Sequence, residues 1–160
     1  MKNAKTSDAL SSIRTPSTIS DLQQTECESL LSRNHIGRIA FTFKDRVDIE
    51  PIHYVFFEGA IYARTTPGTK LSVIAHHPWV AFEVDEIRGP YDWESVVVKG
   101  TVYVVEQDRS EHSGESYEYA KKVIRAASPM AFTPADPFPQ RSVLLRIHVN
   151  ELTGRAARTA

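Results

Sequence analysis

The residues whose types and spacing most clearly suggest chemistry lie between Arg64 and Lys70. A predicted strand ends at Thr65 and Thr66, the chain breaks at Pro67 and Gly68, and a predicted helix carrying Lys70 follows. The free amides at a helix N-terminus attract anions, and charge-assisted contacts from Arg and Lys bind phosphate strongly. This segment predicts a phosphate-binding turn, with a solvated turn and an ordinary helix cap as the alternative. It is not a P-loop, because the pattern G-x-x-x-x-G-K-[ST] is absent.

A second segment of interest surrounds Pro51, which interrupts a predicted strand just before His53 and Tyr54. Proline cannot donate a ladder hydrogen bond, so this point is predicted to be a sheet edge or a bulge. At such places the backbone is free to face a ligand, and this one could lie against a flat ring. The residues alone favour the plainer interpretation, in which His53 is an ordinary polar position of a barrel strand.

Other kinds of catalytic site find little support in the sequence. His76 and His77 are adjacent, and neither HExxH nor a Cys-rich zinc spacing occurs, so we predict no metal site. Cys27 falls on the apolar face of the first predicted helix and is interpreted as inert core. Glu83 and Asp85 share one strand face, where a solvated or barrel-rim role is expected. Neither a G-x-S-x-G elbow nor a Rossmann fingerprint is present, so the sequence favours a binding protein that leaves chemistry to a cofactor.

Composition limits the possible partners and compartment. The 160 residues carry a formal charge of -1, which argues against broad nucleic-acid binding. No apolar run approaches a membrane span, so no membrane partner is expected. A single cysteine suits a reducing, cytoplasmic compartment. Residues 1–19, rich in Ser and Thr, are predicted to be a flexible arm, and residues 20–160 a single domain.

Periodicity predicts a mainly β protein, a β-barrel with flanking helices. A capping-box spacing from Thr25 to Glu28 predicts a helix that ends near Asn34. Two more helices are predicted over 69–76 and 110–127, followed in the second case by a proline-rich loop over 128–140. Period-two alternation predicts six strands, over 38–44, 47–57, 60–66, 79–87, 93–106 and 143–149, the fifth bent near Gly100. A doubly wound sheet is disfavoured because strands and helices do not alternate regularly.

The order of several short segments resembles the pyridoxamine 5′-phosphate oxidase-like family of FMN-binding split barrels. The branch that it resembles most contains flavin-nucleotide-binding and nitroimidazole-resistance proteins. The resemblance covers about residues 20–155, and no clear counterpart of the oxidase's pyridoxal-phosphate site is present. The matching segments are 26–31, 37–41, 51–54, 66–71, 80–85, 93–100 and 152–155.

The resemblance implies a six-stranded split barrel that forms a homodimer with FMN in a groove at the subunit interface. Three groups of residues would contact the cofactor. Those along the isoalloxazine ring are Pro51, Ile52, His53 and Tyr54. Those around the phosphate are Arg64, Thr65, Thr66 and Lys70, with Leu71 in the same matching segment. Those from the tryptophan-containing strand are Trp93, Ser95 and Val96.

The function expected from the resemblance is an FMN-dependent oxidoreductase. It would transfer hydride or electrons between a reduced nicotinamide-type donor and a small planar acceptor, nitroaromatic or quinone-like. His53 is the candidate catalytic residue, as a proton donor or a substrate contact. The alternatives are a non-catalytic flavin- or haem-binding and sensing module, and a purely structural protein.

Overall fold

The computed structural model describes residues 18–107 and 117–158, which form seven strands and three helices. The strands are β1 (Thr18–Asp21), β2 (Ile36–Phe43), β3 (Arg46–Phe57), β4 (Ala60–Thr65), β5 (Trp79–Gly89), β6 (Asp92–Val105) and β7 (Val143–Arg158). The helices are α1 (Gln24–Arg33), α2 (Thr69–His76) and α3 (Tyr117–Ala127). None of these helices is long and apolar enough to cross a membrane.

Most predicted elements are observed, with three differences. The short strand β1 was not predicted, and it includes Thr18 and Ile19, which the sequence assigned to the arm. The last strand runs to Arg158 instead of ending at 149. The first helix is capped two residues earlier than predicted, at Gln23, whose backbone amide donates a hydrogen bond to the Glu26 carboxylate at 2.8 Å. Residues 1–17 of the predicted arm and 110–116 of the predicted third helix lie outside the described residues.

Six antiparallel strands close into a barrel, which confirms the predicted fold class. Strand pairings run β2–β3–β4–β7–β6–β5 and return to β2, while β1 pairs with the end of β7. The predicted bend near Gly100 coincides with a shift in the β6–β7 register between Lys99 and Gly100. A Cβ at position 100 would overlap the carbonyl oxygen of His148, so only glycine permits this close approach of the two strands.

The barrel interior forms the main core, and α3 covers part of the outside. Alternate residues of the strands point inward, and α1 adds Leu30 and Leu31 to the same cluster. Cys27 lies in this core, as predicted, and burial raises the pKa of its thiol. A second cluster packs α3 on the outer faces of β4 and β7 through Tyr62 and Leu144. The outer faces of β2 and β5 carry exposed side chains and form the opposite wall of the barrel.

Candidate functional site

The predicted phosphate-binding residues fall on two sides of β4, because neighbouring residues of a strand point to opposite faces. Thr65 lies beside Lys70, whose ammonium group donates a hydrogen bond to Thr65 Oγ1 at 3.4 Å. The same ammonium group forms an ion pair with Glu50 of β3. Thr66 is exposed immediately after the strand. Thr65, Thr66 and Lys70 therefore form one polar cluster at the end of β4.

The start of α2 adds unpaired backbone donors to this cluster. Gly68 is the N-cap residue and has no side chain to accept a hydrogen bond from the first-turn amides. The first turn of α2 also contains no acidic residue. The Leu71 amide donates to the Gly68 carbonyl oxygen at 3.1 Å. Within the described part of the chain, the amides of Thr69 and Lys70 and the positive dipole end therefore remain available to an anion. Leu71, the remaining residue predicted for this segment, packs against the barrel core.

Glu50 balances the charge of Lys70 in this structure. The Lys70 side chain is only 13% exposed, whereas the Glu50 side chain is 44% exposed and can move into solvent. An anion that binds the Lys70 ammonium group must therefore compete with the Glu50 carboxylate. The exposure of Glu50 makes such an exchange possible without rearrangement of the sheet.

Arg64 does not belong to the Thr65–Lys70 cluster, contrary to the sequence-based interpretation. Its buried guanidinium group donates to the Asp136 carboxylate at 2.6 Å and to the backbone carbonyl oxygens of Arg141 and Phe138 at 2.9 and 3.2 Å. It also lies over the Phe132 ring, 4.3 Å from the centroid. Arg64 thus anchors the proline-rich loop over 128–141 to the outer face of β4.

The segment around Pro51 is a strand edge, as predicted. In the described sheet, residues 46–53 of β3 pair with β2, and β4 pairs only with residues 54–57. Pro51 faces Arg38 in this ladder, with no bulge. One backbone edge of β3 is therefore free of sheet pairing at Pro51 and His53.

The side chains of this segment alternate between solvent and core. Pro51 and His53 are exposed, whereas Ile52 and Tyr54 are buried in the barrel. The Tyr54 hydroxyl donates to the carbonyl oxygen of Leu31 at 2.8 Å, and burial raises the pKa of this phenol. A flat ring that lay along this edge would contact Pro51, His53 and the free backbone. It would not contact the side chains of Ile52 and Tyr54.

His53 opens onto a cavity of about 290 Å³ between β3, β4, the end of α3 and the 128–141 loop. The His53 and Phe138 rings lie 5.9 Å apart, and the Arg141 guanidinium lies 4.7 Å from the centroid of Phe138. Burial, followed by the positive charges of Arg141 and Arg64, lowers the pKa of His53. The imidazole is therefore neutral at neutral pH and can donate or accept a hydrogen bond.

Sequence reasoning missed the loop residues of this cavity. Phe138, Arg141 and Met130 belong to a segment without hydrophobic periodicity, so no pattern placed them near His53. The signal that could have found them is the length of the loop. Long structureless connections inside compact domains are usually functional, and this one is rich in proline.

The residues predicted on the tryptophan-containing strand lie elsewhere on the barrel. Trp93 and Ser95 line an open cleft of about 690 Å³ beside Arg155. Val96 is fully buried in the core, so its side chain cannot reach a ligand on the outside. Its backbone is also enclosed by β5 and β7, which pair with β6 on both sides.

Two carboxylates near Ser95 are held in an ion-pair network and are not a free acid–base pair. The Ser95 hydroxyl donates to Glu83 at 2.9 Å. Arg38 donates to Glu83 and Asp85 at 2.9 and 3.3 Å. Both carboxylates therefore join β5 to β2, and Glu83 also joins β5 to β6.

The two groups of candidate residues are separated across one sheet face. Pro51 pairs with Arg38, Arg38 with Glu83, and Glu83 with Val97. Three strand spacings of about 4.8 Å place Pro51 roughly 14 Å from the Val97 row, beside Ser95. Neither the cavity at His53 nor the cleft at Trp93 is lined by both groups.

Solved structures share this architecture over most of their length. A FAD-binding protein from Mesorhizobium loti is 24% identical, with a TM-score of 0.71 over 89% of this chain and 99% of its own. The FAD-binding protein from Mycobacterium smegmatis is 25% identical, with a TM-score of 0.61 over 87% of this chain and 100% of its own. A putative 5-nitroimidazole antibiotic resistance protein from Bacteroides thetaiotaomicron is 15% identical, with a TM-score of 0.65 over 98% of this chain and 96% of its own.

The sequence comparisons identify a family. No functionally curated protein matches the sequence. The family profile described as pyridoxamine 5′-phosphate oxidase matches residues 23–156, which include all the candidate residues discussed above. With the closed barrel and the structural neighbours in agreement, the chain belongs to the pyridoxamine 5′-phosphate oxidase family, as the resemblance of its segments predicted.

Proposed function

We propose that the protein binds FMN, with the phosphate at Thr65, Thr66, Lys70 and the first turn of α2. The observation that carries the proposal is that the start of α2 and the unpaired edge of β3 lie next to each other. The uncapped start of α2 beside Lys70 supplies anion donors, and the unpaired edge of β3 at Pro51 leads away from it. A phosphate at the first feature leaves the attached ring system free to lie along the second.

The family and its structural neighbours support a flavin in this role. Two of the neighbours are FAD-binding proteins, and both flavin nucleotides contain the phosphate that the Thr65–Lys70 cluster would hold. We prefer FMN because the exposed Thr66 and the first turn of α2 suit one terminal phosphate group. FAD is the competing ligand in the experiment below.

We further propose that the site is completed in a homodimer. Val47, Ile49 and Trp79 are 73%, 62% and 66% exposed, and they project from the outer wall formed by β2, β3 and β5. Large apolar side chains exposed together are typical of an interaction surface. A second copy packed on this wall would bring its own Trp93 and Ser95 toward Pro51, which a single chain keeps apart.

The reaction that we propose is hydride transfer from a reduced nicotinamide-type donor to a small planar acceptor, nitroaromatic or quinone-like. Bound FMN would supply the hydride chemistry. The protein would orient the ring along the β3 edge, exclude water through the dimer interface and present the neutral imidazole of His53 to the substrate. His53 is suited to this role because its lowered pKa leaves it free to exchange a hydrogen bond near neutral pH.

A non-catalytic flavin-binding module is the second candidate. It is favoured by the state of Glu83 and Asp85, which are tied to Arg38 and unavailable for proton transfer. The two candidates differ in one measurement. Bound flavin that stays oxidised during anaerobic incubation with NADH and with NADPH would favour the binding module, whereas reduction followed by reoxidation with a nitroaromatic would support the oxidoreductase.

Flavin binding is tested by titrating the purified protein with FMN, FAD and riboflavin. We expect FMN to bind more tightly than riboflavin, which lacks the phosphate. Lys70→Ala should weaken FMN by roughly tenfold or more, because a charge-assisted contact contributes about 1.5–3 kcal/mol. It should leave riboflavin affinity unchanged. Glu50→Gln should strengthen FMN binding, because it removes the competing carboxylate.

Lys99→Ala is the matched control, since Lys99 pairs with Glu151 on the surface, away from the cluster. Equal affinity for FMN and riboflavin, together with an unaffected Lys70→Ala variant, would remove the phosphate from this site. Tighter binding of FAD than of FMN would indicate that the cofactor is FAD.

The proposed dimer is tested separately. Ile49→Asp is expected to give a monomer in sedimentation experiments, and an unchanged sedimentation coefficient would contradict the proposed interface.

A further inference from the structure

The cavity below the 128–141 loop is lined by Arg141, whose charge the proposed flavin binding does not explain. We propose that this cavity binds a small aromatic carboxylic acid, with Arg141 as the partner of the carboxylate. As a substrate site it rests on the proposed function, because His53 would lie between the acid and the flavin. As a binding site it does not, and it can be measured on flavin-free protein.

The size and walls of the cavity suit a single aromatic ring. Its volume of about 290 Å³ is at the lower end of the range of ligand pockets in proteins. The walls contain the rings of Phe138 and Tyr62 and the side chain of Met130. The His53 ring also lines the cavity, tilted by 47° to that of Phe138.

The two arginines of the cavity differ in their charge partners. Arg64 is fully engaged by Asp136 and two backbone carbonyl oxygens. Asp136 in turn accepts the amides of Phe132 and Phe138 at 2.8 and 2.9 Å, so its oxygens have no capacity left for a second arginine. Among the described residues, the Arg141 guanidinium has no ion pair and no hydrogen bond, and it lies over the face of the Phe138 ring.

The cavity therefore has an excess of positive charge. Burial lowers the pKa of His53, and the charges of Arg141 and Arg64 lower it further. A guanidinium group beside an aromatic ring binds planar carboxylates through two parallel hydrogen bonds. A ligand with an aromatic ring and a carboxylate would satisfy Arg141 and fill the apolar space together.

This ligand is distinct from the phosphate of the proposed flavin. Arg64 and His53 lie on the outer side of the sheet, whereas Thr65 and Lys70 lie on the other side of β4. An anion at one position leaves the other unoccupied. The cavity and the Thr65–Lys70 cluster can therefore be tested with independent ligands and independent variants.

The experiment measures binding of benzoate and of its neutral isostere benzamide to the flavin-free full-length protein by calorimetry and by NMR of the Met130 methyl group. We expect benzoate to bind at least tenfold more tightly than benzamide. Arg141→Gln should reduce benzoate binding by roughly tenfold or more and leave benzamide unchanged, given the usual contribution of a charged hydrogen bond. Arg141→Lys, which retains the charge but loses the planar fork, should have an intermediate effect.

Arg125→Gln is the control, because Arg125 is an exposed α3 residue outside the cavity. The proposal is overturned if benzoate does not bind, if benzamide binds equally well, or if Arg141→Gln binds benzoate like the wild type. If Arg141→Gln fails to fold, the comparison of benzoate with benzamide binding to the wild type decides whether the site exists. Benzoate binding without FMN binding would uphold this site and reject the proposed cofactor. FMN binding without benzoate binding would uphold the cofactor and reject this site.

Discussion

The buried ion pair between Arg64 and Asp136 gives the sharpest prediction about stability. The Asp136 side chain is 3% exposed, and its carboxylate accepts hydrogen bonds from Arg64 and from the amides of Phe132 and Phe138. Asp136→Asn keeps the shape of the side chain but replaces one acceptor oxygen with a donor nitrogen. The change therefore leaves one backbone amide without an acceptor and the Arg64 charge without a counterion.

The expected cost is large because both losses occur in a buried site. Removing one partner of a buried ion pair costs about 3–5 kcal/mol. For a chain of this size, each kcal/mol lowers the melting temperature by about 2–4 °C. We therefore expect Asp136→Asn to melt roughly 6–20 °C below the wild type.

The pH dependence provides an independent check. Hydrogen bonds from Arg64 and the two amides lower the pKa of Asp136 from 3.8 to about 2. A lowered folded-state pKa means that this stabilisation is complete above pH 4 and is lost as the pH falls toward 2. The stability gap between the wild type and Asp136→Asn should accordingly narrow over that range.

Thermal melting followed by circular dichroism measures the shift in melting temperature, and urea unfolding at several pH values measures the change in the free energy of unfolding. Glu151→Gln is the control, because it breaks only an exposed pair with Lys99 and should change stability by less than about 1 kcal/mol. The double variant Arg64→Met/Asp136→Leu removes both charges but leaves the amides of Phe132 and Phe138 without their acceptor, so it should recover only part of the loss. A loss below about 1 kcal/mol for Asp136→Asn, or a stability gap that does not change with pH, would refute the assigned role of the pair.

Three further outcomes follow from the core. Tyr54→Phe removes the hydrogen bond to the Leu31 carbonyl oxygen and should lower the free energy of unfolding by about 1–2 kcal/mol, measured by urea titration. Gly100→Ala places a Cβ against the His148 carbonyl oxygen and should cost about 1–3 kcal/mol in the same assay, whereas an unchanged midpoint would contradict the close strand approach. Cys27, whose thiol pKa is raised mainly by burial and also by the Glu26 charge, should resist a thiol reagent at pH 8 in the native protein and react fully in urea. Rapid labelling of the native thiol would show that α1 opens readily.

The barrel was predictable from the sequence because its strands alternate clearly, and the exceptions are local. Strand β1 is short and fully exposed, so it has no apolar face to produce a pattern. The extension of β7 beyond 149 lacks regular alternation of apolar and polar residues and is held by pairing with β6 and β1, which no local pattern can reveal. The cap of α1 was misplaced because Gln23 and Glu26 have the same spacing as Thr25 and Glu28, and only the folded backbone shows which pair is used.

The candidate site was predictable as segments but not as an assembled site. The strand–turn–helix at Thr65–Lys70 and the edge at Pro51 were both found from residue types. The error at Arg64 was avoidable, since strand alternation already separates it from Thr65. The role of Asp136 was not predictable, because it depends on a contact across 72 positions between β4 and an aperiodic loop.

The three basic residues near the site differ chiefly in the carboxylate available to each, and this difference assigns their roles. Arg64 has a buried carboxylate that nothing displaces, so its charge serves the fold. Lys70 has the half-exposed carboxylate of Glu50, so an anion could replace Glu50 as the partner of the ammonium group, as the proposed phosphate site requires. Arg141 has no carboxylate among the described residues and is partly exposed, so its charge is open to a ligand that brings one. A basic residue is therefore a poor guide to an anion site until its counterion is known. By that criterion the site contains one exchangeable cation and one uncompensated cation, which are the features that reversible binding of two different anions requires.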